Sequence, residues 1–220
     1  MLDDKNQSFT PHPTYTQTMM PEIERHPLRP FLPATTRLLM LGSFPPARKR
    51  WCMDFFYPNY TNDMWRIFGI CFFADKLHFV DEEHKTFRQK DIEDFLVGQG
   101  IGIYDTATAV RRTKNTASDK DLEIVEPTDI AALLRTAPHC HAIVTTGQKA
   151  TDVICNTFNI TRPSVGNSTH FVFEEREMQL FKMPSSSRAY PIKVERKAEY
   201  YREMFESLFK KKDAAETKPS

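Results

Sequence analysis

The chain has 220 residues, of which 40% are hydrophobic and 27% charged, and its formal net charge is +1. That length and composition fit an ordinary soluble globular protein with one domain and a sizeable core. A charge so close to zero means that any affinity for polyanions must come from local clusters of cations. No apolar run approaches the ~20 residues of a membrane helix, and the first 18 residues are too polar for a signal peptide, so a cytoplasmic protein is expected.

The cysteines argue against a metal centre. They form no C-x-x-C pair and lie far apart in the chain, at Cys52, Cys71, Cys140 and Cys155. Zinc and iron–sulfur sites need closer ligands. The run His139-Cys140-His141 is an alternative candidate, but adjacent residues before a strand rarely face one ion. We therefore expect no metal, and reduced, buried thiols.

The two ends of the chain differ in composition from its middle. Residues 1–20 carry Pro, Thr and Gln without hydrophobic periodicity, which predicts a disordered or loosely draped arm. The segment 21–33 holds four prolines and is expected to run extended over the surface. A single domain is predicted over residues 21–212, followed by a frayed tail over 213–220.

Three continuous apolar runs predict strands covered on both faces, as in a parallel sheet. They span residues 37–41, 100–104 and 142–146, and Gly, Asp or Thr-Gly ends each of them. Helices are predicted from about residue 62 and at 89–97, 129–136, 148–157 and 194–208. Residues 170–173 and 178–182 predict a hairpin. A polar excursion is expected at 73–88 and a long loop at 111–126. This order predicts the α/β class, as a three-layer α/β/α sandwich with a short central, mainly parallel sheet.

Four motifs in this order along the chain resemble those of the uracil-DNA glycosylase superfamily. They are Leu41-Gly-Ser-Phe-Pro45, Phe56-Tyr57 with Asn62-x-x-Trp65, the strand from Gly100 to Arg111, and Met183-Pro-Ser-Ser-Ser187. The second is similar to a segment of the mismatch-specific and hypoxanthine-DNA glycosylase branches. The resemblance spans about residues 20–210 and implies a uracil-DNA glycosylase-like fold.

The resemblance implies a DNA repair glycosylase that hydrolyses the N-glycosidic bond of a flipped, deaminated base, uracil or hypoxanthine, to leave an abasic site. Its partner would be double-stranded DNA containing a damaged or mismatched base. A monomer without cofactor, metal or membrane contact is expected. Because no lysine is placed for Schiff-base chemistry, a monofunctional enzyme of base excision repair is expected.

The residues at these strand ends fit that chemistry. The base must leave the helix and enter a pocket. Its transition state resembles an oxocarbenium cation with negative charge leaving on the base, which prearranged dipoles stabilise. We expect Tyr57 to stack on the base, Asp105 to read its edge and Asn62 to hold the water. The turn expected to offer backbone N–H groups to the departing base is Gly42, Ser43 and Phe44.

Phe44 is where this chain departs from the superfamily. Many relatives carry Asn or Asp at that position to place the water, and the Phe side chain has no polar atom that could do so. The hypoxanthine-acting branch also lacks that residue and uses the downstream Asn, which here is Asn62. Its carboxamide would orient a water without acting as a true base. The alternative is that Asn62 only caps the following helix.

The other pocket residues have structural alternatives as well. A carboxylate at Asp105 accepts hydrogen bonds unless it is protonated, so it would take the ring N–H of uracil or hypoxanthine and reject bases that present acceptors there. Its alternative is a cap after the strand. Tyr57 is equally consistent with core packing, and Phe44 with either stacking or closing the site.

A second group of residues predicts contacts with DNA. Ser185, Ser186 and Ser187 precede the last helix, where hydroxyl and backbone N–H groups suit phosphate. Their alternative is helix capping. Arg188, with Ala189 and Tyr190, occupies the position of a wedge that replaces the flipped base. Arg48, in the triplet 48–50, would add a phosphate contact unless it belongs to a solvated turn.

Two other functions stay open. One is a catalytically silent nucleic-acid-binding protein on the same fold, which Phe44 favours. The other is an unrelated nucleotide-handling α/β enzyme, because a fold does not fix a function.

Overall fold

The computed structural model describes residues 22–113 and 121–209. The predicted arm at 1–20 and tail at 213–220 lie outside these residues, so both stay predictions, as do the domain limits. No helix in the two described ranges is long and apolar enough to span a lipid bilayer.

Strands and helices alternate along the described chain. The strands are β1 (Ile23–Arg25), β2 (Leu38–Gly42), β3 (Val80–Asp81), β4 (Thr86–Phe87), β5 (Ile101–Asp105), β6 (Ala107–Arg112), β7 (Leu122–Pro127), β8 (Ala142–Thr145), β9 (Ser168–Phe173) and β10 (Arg176–Lys182). The helices are α1 (Met64–Phe73), α2 (Gln89–Gln99), α3 (Ile130–Thr136), α4 (Gln148–Phe158) and α5 (Val194–Phe209), with a short 3-10 turn at Arg48–Arg50.

A five-stranded sheet forms the middle layer, in the order β5-β2-β8-β10-β9. Its first four strands are parallel, and β9 pairs with β10 antiparallel at one edge. Helices flank the sheet: α2 contacts β5, α4 contacts β8, and α1 packs on α5. The predicted three-layer α/β/α fold with a mainly parallel sheet is confirmed.

The continuous apolar runs form the core for the expected reason. Leu38, Leu39, Met40 and Leu41 of β2 are 0% exposed, because neighbouring strands and both helical layers cover them. Aromatic rings continue this core between α1 and α5, where Phe68 and Phe205 lie 5.3 Å apart between ring centroids. The central strands are therefore held by packing against their neighbouring strands and the helices on both faces.

A second sheet corrects the prediction of a long loop at 111–126 at both ends of that segment, whereas residues 114–120 lie outside the described residues. In this sheet β6 and β7 pair antiparallel, and β1, from the segment expected to run merely extended, pairs with β6. These strands are half-exposed and carry charged pairs across the strands, such as Arg111 opposite Glu123. The inward-facing Val110 and Leu122 therefore stand among charged residues, and the sequence shows no clear strand pattern there. The polar excursion at 73–88 likewise contains the short hairpin of β3 with β4.

Side-chain oxygens accept backbone N–H groups at the start of two helices. Asn62 Oδ1 accepts the Met64 N–H at 2.9 Å, so this amide caps α1 from the position before its N-cap residue, Asp63. At α3 the cap is Asp129, because Asp129 Oδ1 accepts the Ala132 N–H. The hydroxyl of the preceding residue, Thr128, donates to the Asp105 carbonyl oxygen at 2.7 Å, which ties it to the end of β5.

The serine segment does not directly precede the last helix. Residues 188–193 separate Ser187 from α5, which begins at Val194. These serines therefore do not stand at the start of α5, and their predicted phosphate contact stays a prediction.

Candidate active site

One cleft at the carboxyl ends of β2 and β5 collects nearly all the predicted site residues. It is lined by Gly42, Ser43, Phe44, Tyr57, Asn62, Asp105, Ser185, Ser186, Ser187 and Arg188, to which the structure adds Phe56, Asn59, Arg112, Leu122, Thr146 and several prolines. Its volume is about 130 Å³. A closed cavity of about 150 Å³ holds a benzene ring, so this open cleft is of the order of one small planar ring.

Arg48 lies outside the lining. Its guanidinium pairs with Asp54 and lies over the Trp51 ring, 4.4 Å from the centroid. The side chain is 63% exposed. Its predicted phosphate contact stays a prediction.

Gly42 and Asp105 are directly opposite each other on β2 and β5. A Cβ atom at position 42 would lie 2.3 Å from Asp105 Oδ1 and 3.8 Å from the Tyr57 hydroxyl. Because real Cβ atoms do not approach an oxygen so closely, only glycine leaves room for the carboxylate at this place. The absence of one side chain thus sets the position of another.

His26 holds Asp105 from the other side and was missed by the sequence analysis. Its Nε2 lies 2.9 Å from Asp105 Oδ2, and its side chain is 2% exposed. Asp105 therefore does not cap a turn with its side chain, which was its structural alternative. His26 lies in a proline-rich segment without periodicity, so no local signal identifies it, and the pairing of β1 with β6 brings it to the site.

Tyr57 has a conformation that ordinary core packing does not require. Its φ is +50°, a left-handed value that costs a non-glycine residue about 1–3 kcal/mol. Its hydroxyl lies 3.0 Å from Thr146 Oγ1, and its ring meets Trp65 edge-on at 6.0 Å. The ring is half-buried and faces the cleft, as the stacking prediction requires.

Asn62 combines the two roles considered for it. Its Oδ1 caps α1, while the residue remains half-buried in the cleft lining. An amide oxygen has two acceptor sites and its nitrogen has two donors. Capping therefore uses one of four hydrogen-bonding positions and leaves capacity to orient a water.

Phe44 forms a wall of the cleft. Its ring meets His26 edge-on at 5.2 Å, and the Arg112 guanidinium lies 5.7 Å from its centroid. It also packs with Ala107, Val110 and Leu122 of the second sheet. Arg112 Nη2 in turn donates to the Pro45 carbonyl at 2.5 Å, so the second sheet is fastened to the turn after β2.

A buried ion pair fixes the serine segment against α1. Lys197 Nζ lies 2.8 Å from Asp63 Oδ2 and donates to the Ser187 carbonyl at 2.7 Å. The Asp63 N–H donates to the Ser186 carbonyl at 2.9 Å, and the Lys197 side chain is 0% exposed. This lysine was also missed, because a lysine in an amphipathic helix is ordinarily solvated.

The tip of the serine segment points outward. Ser185 Oγ accepts the Ser187 N–H at 3.2 Å, and Ser187 Oγ accepts the Ala189 N–H at 3.3 Å. Arg188 is 59% exposed at the cleft edge, 3.6 Å from Asp63 Oδ1. The serines thus shape a tight turn that presents Arg188 and Ala189 to the surroundings.

The cysteines are free thiols. Burial raises the pKa of Cys71 to about 12 and that of Cys140 to about 11, so both are protonated at neutral pH. Cys140 is buried while the adjacent His139 is exposed, so the two side chains do not face one ion.

Comparison with known proteins supports the fold. No family model matches the chain, and no curated protein sequence matches it. Among solved structures, it is similar to a candidate uracil DNA glycosylase from Methanosarcina acetivorans, determined by solution NMR. The two share 23% sequence identity with a TM-score of 0.55, over 85% of this chain and 99% of the other. At this identity the likeness establishes a common fold.

Proposed function

We propose that this protein is a monofunctional DNA glycosylase of base excision repair. It hydrolyses the N-glycosidic bond of a flipped uracil or hypoxanthine and leaves an abasic site in double-stranded DNA. The observation that carries the proposal is the Asp105 carboxylate over Gly42, in a base-sized cleft with Tyr57 and Asn62. The shared fold with a candidate uracil DNA glycosylase supports it.

The cleft suits a base that presents a ring N–H. Asp105 accepts that N–H, which uracil has at N3 and hypoxanthine at N1. Aromatic side chains of Phe56 and Tyr57 line the same cleft and supply a face for the ring. In a base whose corresponding ring nitrogen is an acceptor, that nitrogen would face the Asp105 oxygen with no proton between the two atoms, and the contact would be unfavourable.

The reaction breaks the bond between C1′ of the sugar and the base nitrogen. The electron pair leaves with the base, and C1′ develops oxocarbenium character. Asn62 orients the water that adds to C1′, and the proton that this water loses neutralises the anion of the departed base. Backbone N–H groups of the turn after β2 stabilise the negative charge as it develops on the base. Lys197 is engaged by Asp63 and Ser187, so it is not available for a Schiff base, in keeping with a monofunctional enzyme.

The serine segment is the proposed contact with DNA. Its turn would approach a phosphate, and Arg188, Ala189 or Tyr190 would enter the duplex in place of the flipped base. We further propose that the protein acts as a cytoplasmic monomer without a metal or cofactor.

The proposal is tested with duplexes that carry a single uracil, hypoxanthine, xanthine or mismatched thymine. After incubation, alkali cleaves any abasic site, and we expect strand breaks at uracil or hypoxanthine. If no duplex is cleaved while DNA binding persists, the protein is the silent DNA-binding form, for which Phe44 is the supporting observation.

Asn62→Ala is expected to lower the single-turnover rate by about 10²-fold, because the water loses its orienting amide. The same change removes the cap of α1 and costs about 1 kcal/mol of stability. Asn62→Ser is the matched control, since its hydroxyl can cap the helix. A rate that falls with Asn62→Ala but is normal in Asn62→Ser would leave Asn62 with a capping role alone.

Arg188→Ala is expected to weaken DNA binding and to reduce the salt dependence, log Kd against log salt, by about one unit. Arg135→Ala is the matched control, because Arg135 is 57% exposed and ends α3, ahead of the amino end of β8 and away from the cleft. Equal salt slopes in the two variants would exclude a phosphate contact for Arg188, and would leave only the wedge role.

A further inference from the structure

We infer that His26 determines which bases the cleft accepts, by keeping the cleft-side oxygen of Asp105 free of a proton. This inference rests on the proposed function and deepens it. Asp105 has two oxygens with different neighbours: Oδ2 lies 2.9 Å from His26 Nε2, and Oδ1 lies above Gly42, which lines the cleft.

The His26 ring is held firmly in place. Its backbone N–H donates to the Thr108 carbonyl at 2.8 Å, directly after the register of β1 with β6. The ring packs against Tyr104 at 4.7 Å and Phe44 at 5.2 Å. A ring so enclosed cannot turn its Nε2 away from Asp105 without disturbing the wall of the cleft.

The Nδ1 atom of His26 is compatible with two protonation states. It lies 2.9 Å from the Leu28 carbonyl oxygen and 3.1 Å from the Leu28 nitrogen. A neutral ring with its proton on Nε2 accepts the Leu28 N–H, whereas an imidazolium donates to the Leu28 carbonyl. In both states Nε2 carries a proton and donates it to Asp105 Oδ2.

A third arrangement leads to the same result. If the shared proton moves to Asp105, it sits on Oδ2 and is donated to Nε2, since two lone pairs cannot face each other at hydrogen-bond distance. Oδ1 is then the carbonyl oxygen of a carboxylic acid. With a single proton in the His26–Asp105 bond, Oδ1 accepts and does not donate, whichever of the two groups holds that proton.

This makes the pair a filter for the edge of the base. Uracil and hypoxanthine present a ring N–H to Oδ1, whereas cytosine and adenine present a bare nitrogen at the corresponding position. A lone carboxyl group in the same cleft would be free to bind a proton on Oδ1 and to donate it to that nitrogen. His26 disfavours this option, because the Nε2–H that it donates to Oδ2 stabilises the carboxylate with Oδ1 unprotonated, and the preference for deaminated bases therefore depends on His26.

The test measures binding of free uracil, cytosine, hypoxanthine and adenine to the full chain by NMR titration. The variants are His26→Phe and His26→Leu, which have no donor, and His26→Gln, whose amide N–H can replace Nε2–H. We expect the wild type and His26→Gln to prefer uracil over cytosine, and hypoxanthine over adenine, by at least about tenfold. In the variants without a donor, both ratios should fall to within about threefold.

The ratio of two affinities isolates this role, because a general loosening of the cleft weakens both members of a pair alike. Two variants without a donor are included so that one misfolded protein does not decide the result. If a folded His26→Phe or His26→Leu protein keeps the full preference for uracil and hypoxanthine, the inference about His26 is overturned and the proposed function is not affected. A wild-type protein without any preference overturns base reading by Asp105, and with it both the inference and this part of the proposed function.

Discussion

Gly42→Ala is expected to lower the proposed glycosylase activity by about 10²-fold or more while the protein still folds. The new Cβ would lie 2.3 Å from Asp105 Oδ1, and Asp105 cannot yield freely because His26 holds its other oxygen. The carboxylate must therefore leave its place at the floor of the cleft. A displacement of about 1 Å at a reacting centre costs about 10²-fold in rate. Single-turnover cleavage of a uracil or hypoxanthine duplex measures the effect.

Gly98→Ala provides the matched control. A Cβ at Gly98 meets no atom within 4 Å, and the residue lies within α2. Alanine there should stabilise the helix by about 0.5–1 kcal/mol and leave the activity unchanged. Overpacking at Gly42 should in contrast cost about 1–3 kcal/mol in urea denaturation. Full activity in Gly42→Ala would show that the position of Asp105 is not needed for the reaction.

Lys197→Met should lower the free energy of unfolding by about 3–5 kcal/mol, more than Gly42→Ala or Asn62→Ala. The Lys197 side chain is 0% exposed and the Asp63 side chain 7% exposed, so methionine at position 197 leaves a buried carboxylate without its close cation. The Arg188 guanidinium lies 3.6 Å from Asp63, but its side chain is 59% exposed and compensates the charge only weakly. The change also frees the Ser187 carbonyl, and DNA binding through the serine segment should weaken. Urea denaturation with equal m-values across the variants measures the stability.

Two controls separate this effect from the loss of any lysine. Lys90→Met breaks an ion pair with Asp94 whose side chains are 78% and 63% exposed, and should leave the unfolding curve unchanged. The double variant Lys197→Met with Asp63→Asn removes the unpaired charge and should recover part of the loss. Equal stabilities for Lys197→Met and Lys90→Met would mean that the buried ion pair does not stabilise the native protein.

The amino-acid sequence is enough to predict the central sheet and most of the residues that line the cleft. A strand buried on both faces must be apolar throughout, so residues 37–41, 100–104 and 142–146 could be read as strands from local composition alone. Their carboxyl ends converge in any parallel sheet. That rule alone places Gly42, Asp105 and the residues after them at one edge of the sheet.

The contacts that hold these residues in place join parts of the chain that are far apart in sequence. His26 reaches Asp105 across 79 positions, and Lys197 reaches Asp63 across 134. Neither residue differs locally from a surface histidine or lysine. The pairing of β1 with β6, and the packing of α5 on α1, created both contacts and took the charges out of water. Polar side chains acquire their role from partners distant in sequence, so their type and spacing along the chain cannot reveal it.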